Sequence, residues 1–170
     1  MLINAFIAGL VWSALWIVYV FLILKRCPWE MLHDYPEEIQ KASALPEPSP
    51  EQKKQAKIFS SVGGIVIFGV LLLFGLLHFS GRAVSFWSVL IYIFIVAMTW
   101  NTADLIVMDF LIICTITPKW VVIEGTEGCK GYHDYLFHFK GFVIGCVYTA
   151  IMAVIFSGID FTILHFIIWK

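Results

Sequence analysis

The side chains able to move protons or hold ligands fall into two groups. Asn101, Asp104 and Asp109 interrupt a long apolar stretch, and the loop after it carries His133 and His138. A histidine titrates near neutral pH and can serve as general base or acid, and a nearby carboxylate can orient it. Catalytic roles are therefore expected of Asp104, Asp109, His133 and His138. Asn101, Glu124, Glu127 and Asp134 are the expected substrate contacts, with Lys119 and Lys140 placed to balance a substrate phosphate. The second group is His78, Asp160 and His165. Two imidazoles from neighbouring helices can hold a haem, and His with a carboxylate can hold a divalent ion. Single histidines near helix ends are more simply interfacial polar groups, so no metal is expected there.

These residues are positioned by apolar elements. The chain has 170 residues, 61% of them hydrophobic and 14% charged, with 15 Phe and 7 Trp. Its mean hydropathy is +0.90. A core of this size cannot hide so much apolar surface, so the chain is integral to a membrane. A net charge of -1 excludes a nucleic-acid partner, which needs concentrated Lys and Arg. Four stretches, 2–24, 58–79, 86–116 and 141–169, are long enough to span a bilayer. The expected fold is an all-α four-helix transmembrane bundle in a single domain, the third span tilted or bent by its excess length. Ionisable groups at membrane depth cost roughly 2.5–3.5 kcal/mol each and face protein or a cavity. At about 100° per residue, Asn101 lies between Asp109 on one side and Asp104 on the other, so span three should present polar groups to more than one neighbour.

Nine of the 11 Lys and Arg residues fall between spans one and two or between spans three and four. Cytoplasmic loops retain basic residues, so both termini are expected outside. The first span lacks a basic region before it and a small-residue cleavage site, which predicts an uncleaved anchor. Trp29, Met31, Leu32 and Tyr35 predict a short interfacial piece, followed by a flexible Pro-rich cytoplasmic linker over 36–57 that ends in a basic helix entry from Gln52 to Lys57. The polar loop 117–140 should be ordered, because Tyr132, Tyr135, Phe137 and Phe139 seek the headgroup layer and fold the loop under Asp104 and Asp109. Val121–Ile123 could run extended, with Gly125, Gly128 and Gly131 supplying the turns after it. Small residues recur every four positions from Gly141 to Ser157 and from Ala5 to Ser13. Such stripes mark helix contacts, within one bundle or in a homo-oligomer. Cys27, Cys114, Cys129 and Cys146 all lie in the cytoplasmic half and form no Cys-x-x-Cys pair, so packing is their expected role.

The segments Thr117-Pro118-Lys119, Gly125-Thr126-Glu127-Gly128, Tyr132, Asp134-Tyr135, His138 and Lys140-Gly141-Phe142, with Asp104 and Asp109, resemble a group of small, uncharacterised bacterial four-span membrane proteins. The resemblance implies a bacterial inner membrane and no particular activity. A slighter likeness is to membrane isoprenylcysteine methyltransferases, whose Arg-His-Pro motif binds S-adenosylmethionine. At His138 the flanking residues are Phe137 and Phe139, and no cofactor follows from the residues themselves. The favoured reading is a membrane-embedded enzyme acting on a lipid or prenyl substrate at the cytoplasmic leaflet by acid-base chemistry. The alternatives are an oligomeric proton- or cation-linked transporter or channel subunit, with Asp104 and Asp109 in the path, or an assembly subunit without chemistry.

Overall fold

A computed structural model describes the chain from Met1 to Lys170. Its only regular secondary structure is helical, and four of its helices are long and apolar enough to cross a membrane. Helix α1, Leu2–Arg26, ends in Lys25 and Arg26, whose charges suit the negative end of a helix. Helix α2 is a short piece, Glu37–Ala42. Helix α3, Pro50–Phe79, begins well before the apolar run of the second span. The Ser49 hydroxyl accepts the Gln52 N–H while the Gln52 side chain accepts the Ser49 N–H, and Pro50 fills a position needing no donor.

Helix α4, Phe86–Ala103, opens on an Ser85 cap and continues unbroken as a π-helix over Asp104–Ile116. It stops at Thr117, whose left-handed φ of 46° ends the helix. Helix α5, Tyr135–Ile163, widens in the same way over Leu164–Ile168. Its start lies inside the stretch read as loop, because the Asp134 carboxylate accepts the Phe137 N–H and caps the helix at that point. His138 therefore belongs to the first turns of a helix. Both termini share one end of the bundle with residues 80–85, called here the termini end. The connections 27–49 and 117–134 form the other, the loop end.

Helix α4 is central, with α1 and α5 along its two sides, and α3 leans on all three. Gly9 of α1 sits so close to Thr99 and the Val96 carbonyl that a Cβ there would lie 2.5 Å from Thr99. Thr149, Ala153 and Ser157 of α5 are buried in the same way, so the small-residue stripes serve packing within the chain except at Gly141, which is exposed beside open space. The core between the helices is aromatic. Trp12 is fully buried and donates its indole N–H to the Ile67 carbonyl at 2.9 Å, and Trp100 packs on both Trp12 and Trp16 at 5.0 Å.

A second core closes the loop end. Tyr35 and Ile39 pack against Val121, Ile123 and Tyr132. The Tyr35 hydroxyl donates to the Val121 carbonyl, and the Ala44 N–H to the Glu124 carbonyl. The segment read as a flexible linker is thus docked as far as residue 44. Ile39 is the reason, since its side chain is wholly buried there. Val121–Ile123 forms no strand. The Val121 N–H bonds to the Pro118 carbonyl within a turn and the Ile123 N–H to the Tyr132 hydroxyl at 2.8 Å. Gly125 and Gly128 adopt φ of 84° and 83° and do make the turns expected of them.

Candidate functional site

At the loop end a cavity of about 580 Å³ lies between α1, α4, the start of α5 and the docked segment. Trp16, Val20 and Leu24 of α1 line one side. The π-wound part of α4 contributes Asp104, Leu105, Met108 and Asp109. The winding matters because π hydrogen bonds run from i to i+5, so residues five apart stack one turn above another. Asp104 and Asp109 are five apart. The α-helical phase separated them across Asn101, whereas in the structure both line one cavity. Bonds of the wider register persist to the helix end, where the Thr115 hydroxyl donates to the Phe110 carbonyl and the Thr117 N–H to that of Ile112.

His138 faces these carboxylates from α5. Its Nδ1 lies 3.0 Å from Asp109 Oδ1; the histidine side chain is 5% exposed and the aspartate 21%. A carboxylate at Nδ1 favours the tautomer whose proton sits there, which leaves Nε2 as an acceptor. That Nε2 is buried and has no partner, and neither has the buried Oδ1 of Asp104 or the indole N–H of Trp100. Asn101 spans the gap to α5. Its amide reaches the Phe142 carbonyl at 3.4 Å, over a Gly145 whose missing side chain leaves room for it. Lys140 and Gly141 line the cavity and are exposed, which puts its mouth on the flank of α5.

Asp34 joins the site from the docked segment, a residue that sequence reasoning passed over. It is held by two 3₁₀ turns, Pro28–Glu30 and Leu32–Asp34, and by its neighbour Tyr35 bonded to Val121. Its side chain is 52% exposed and lies 3.3 Å from His33. Crowding by protein pushes the Asp34 carboxyl up from its ordinary value, the charge of Asp109 adds to this, and His33 opposes it. Burial likewise raises the Tyr35 phenol, which stays a neutral donor. Nothing in the sequence near Asp34 could have signalled its place, because the contact that sets it spans 86 residues.

The other expected residues lie elsewhere. His133 does not share the cavity. Its Nδ1 meets the Cys114 carbonyl at 2.6 Å, at the end of the π-helix, and its ring lines a separate depression with Lys119, Glu127 and Lys130. That depression is larger, about 710 Å³, but it holds no buried unpaired polar atom. Glu124 is exposed and lines neither space, so neither it nor Glu127 forms the cavity rim. Asp134 is committed to capping α5. Asn101 and Lys140 do line the cavity, and Lys119 does not.

At the termini end His78, Asp160 and His165 remain apart. The His78 ring stacks on Tyr92 at 4.4 Å and the His165 ring on Phe161 at 5.7 Å. Asp160 is completely buried beneath Gly75, with neither oxygen hydrogen-bonded. No three His, Cys, Asp or Glu side chains anywhere in the chain are grouped to hold an ion. All four cysteines are free, Cys27 and Cys114 within the packed interior. No known protein family, no curated protein and no solved structure matches the chain.

Proposed function

We propose that this integral membrane protein is an enzyme acting on a lipid-borne substrate at its loop end, with His138 as general base or acid and Asp109 as the group that orients it. One observation carries this reading: His138, a lining residue of the cavity, is held at Nδ1 by Asp109 at 3.0 Å while its buried Nε2 has no partner. A histidine used only for packing has both nitrogens satisfied; a proton-transfer group keeps one free. The apolar walls suit a chain entering from the bilayer through the mouth beside Gly141. Asp104, unpaired at Oδ1, would meet the polar part of the substrate.

Loss of a positioned general base lowers a rate by roughly 10²–10⁴-fold. Lipid extracts of cells expressing His138→Ala or Asp109→Asn should therefore lack a species that the unaltered protein produces, at equal protein levels. Unchanged profiles would refute the enzyme. The second reading, a proton- or cation-linked transporter, is favoured by Asp160, a buried carboxyl without a partner in the opposite half of the bundle. Unchanged lipids with altered cation uptake in Asp104→Asn and Asp160→Asn would select it.

We assign the loop end to the cytoplasm of a bacterial cell and both termini to the outside, on the basic residues that crowd the loop end. A cysteine reporter at Ser49 should react only after the membrane is permeabilised, and labelling in intact cells would reverse the assignment.

A further inference from the structure

We infer that the loop-end cavity takes an amphiphile carrying a primary or secondary ammonium group, bound by donation of its N–H groups to His138 Nε2 and Asp104 Oδ1. The inference rests on the cavity being the substrate site, and it names the chemistry of what enters. Its ground is the balance of donors and acceptors. Buried polar atoms in a folded protein have partners, and those that lack one await something. Two acceptors in this cavity have none: Asp104 Oδ1 and the Nε2 of His138, a side chain only 5% exposed. The one buried donor left over is the Trp100 indole N–H, which can meet an oxygen of the same ligand.

Charge points the same way. Asp34, Asp104 and Asp109 line the space, against a single exposed lysine, Lys140, at its mouth. A phosphate or carboxylate inside would set acceptors against acceptors and negative charge against negative charge. An ammonium group brings N–H donors and the opposite charge. A trimethylammonium group could still rest on the faces of Trp16 and Trp100, but it has no N–H and would leave both acceptors unpaired. The site should therefore reject it, because a pocket built to hydrogen-bond a ligand discriminates strongly against an analogue lacking the donor. Val20, Leu24 and Met108 receive the apolar chain. The source of such a group is a long-chain amine or an aminoethyl phospholipid headgroup. In the second case the phosphate would lie at the mouth, beside Lys140.

The test is binding, which needs no turnover. Full-length protein in phosphatidylcholine nanodiscs is titrated with dodecylamine, dodecyltrimethylammonium and dodecyl phosphate, followed by tryptophan fluorescence, since Trp16 and Trp100 line the cavity. Dodecylamine should bind at least about 10-fold more tightly than either of the others. Asp104→Asn should remove most of that preference. The ligand series on the unaltered protein suffices if the variant does not fold. Equal binding of the trimethylammonium compound, or tighter binding of the phosphate, would overturn the inference. Displacement of dodecylamine by phosphatidylethanolamine would name the lipid headgroup as the source; without displacement the free amine is the ligand, and both results support the ammonium chemistry. Amine selectivity with unchanged cellular lipids would leave this inference standing and remove the catalytic reading, whereas changed lipids without amine selectivity would do the reverse.

Discussion

Replacing Tyr132 with Phe removes one oxygen and keeps the ring, so its effect isolates the bonds that oxygen makes. The Tyr132 hydroxyl accepts the buried Ile123 N–H at 2.8 Å and sits 2.6 Å from the Thr126 hydroxyl, which itself donates to the Ile123 carbonyl at 2.7 Å. In Tyr132→Phe the Thr126 hydroxyl keeps its acceptor, and the ring still packs edge-on against Tyr35 at 5.9 Å. No cavity of consequence opens. The loss is the Ile123 N–H, buried without an acceptor at a cost of about 1–3 kcal/mol, which multiplies the locally open population about 5- to 150-fold. Hydrogen exchange read by mass spectrometry should show that increase over residues 118–133. It should spread to 28–42, because Val121 and Glu124 hold that segment through Tyr35 and Ala44. The helices α1 and α3 should be unaffected. A change of less than about 2-fold in 118–133 would refute the claim that this hydroxyl organises the loop end, and with it the account of how Asp34 reaches the cavity.

Two further outcomes are expected. The raised Asp34 carboxyl means that docking of 28–42 favours its neutral form, so protection there is fullest below the ordinary carboxylate value of about 3.9 and falls as pH rises through the folded value; exchange corrected for intrinsic rate should show this slope, Asp34→Asn should flatten it, and protection that rises with pH would refute it. Gly75→Ala drives a methyl group into the Asp160 carboxylate and should cost about 1–3 kcal/mol in detergent unfolding. Adding Asp160→Ala should restore part of that loss, while strictly additive losses would show that the two positions do not touch.

Much of the fold was legible in the sequence because it rests on quantities a single chain carries. Run length and apolar content determined four spanning helices, and the third was read over 86–116, where α4 with its π-helical extension lies. Local capping is legible too: the basic entry expected from Gln52 to Lys57 belongs to α3, which Ser49 caps, whereas the cap at Asp134 starts α5 six residues before the apolar run, inside the expected loop. For the same reason His138 was read as a loop residue when it stands on a helix. The membership of the site was decided elsewhere. An α-helical wheel parts Asp104 from Asp109; the π register joins them, and the width of a helix depends on how its neighbours pack as well as on its own residues. His133 and His138 are the same residue type five positions apart, yet one meets the Cys114 carbonyl and the other Asp109, because a 3₁₀ turn and a capped helix start between them. Asp34 enters from a segment that looks like linker, through a tyrosine hydroxyl bonded 86 residues away. Sequence patterns report burial and period along one chain. Which polar atoms face one another, and which are left without a partner, is settled only when distant segments close on the same space.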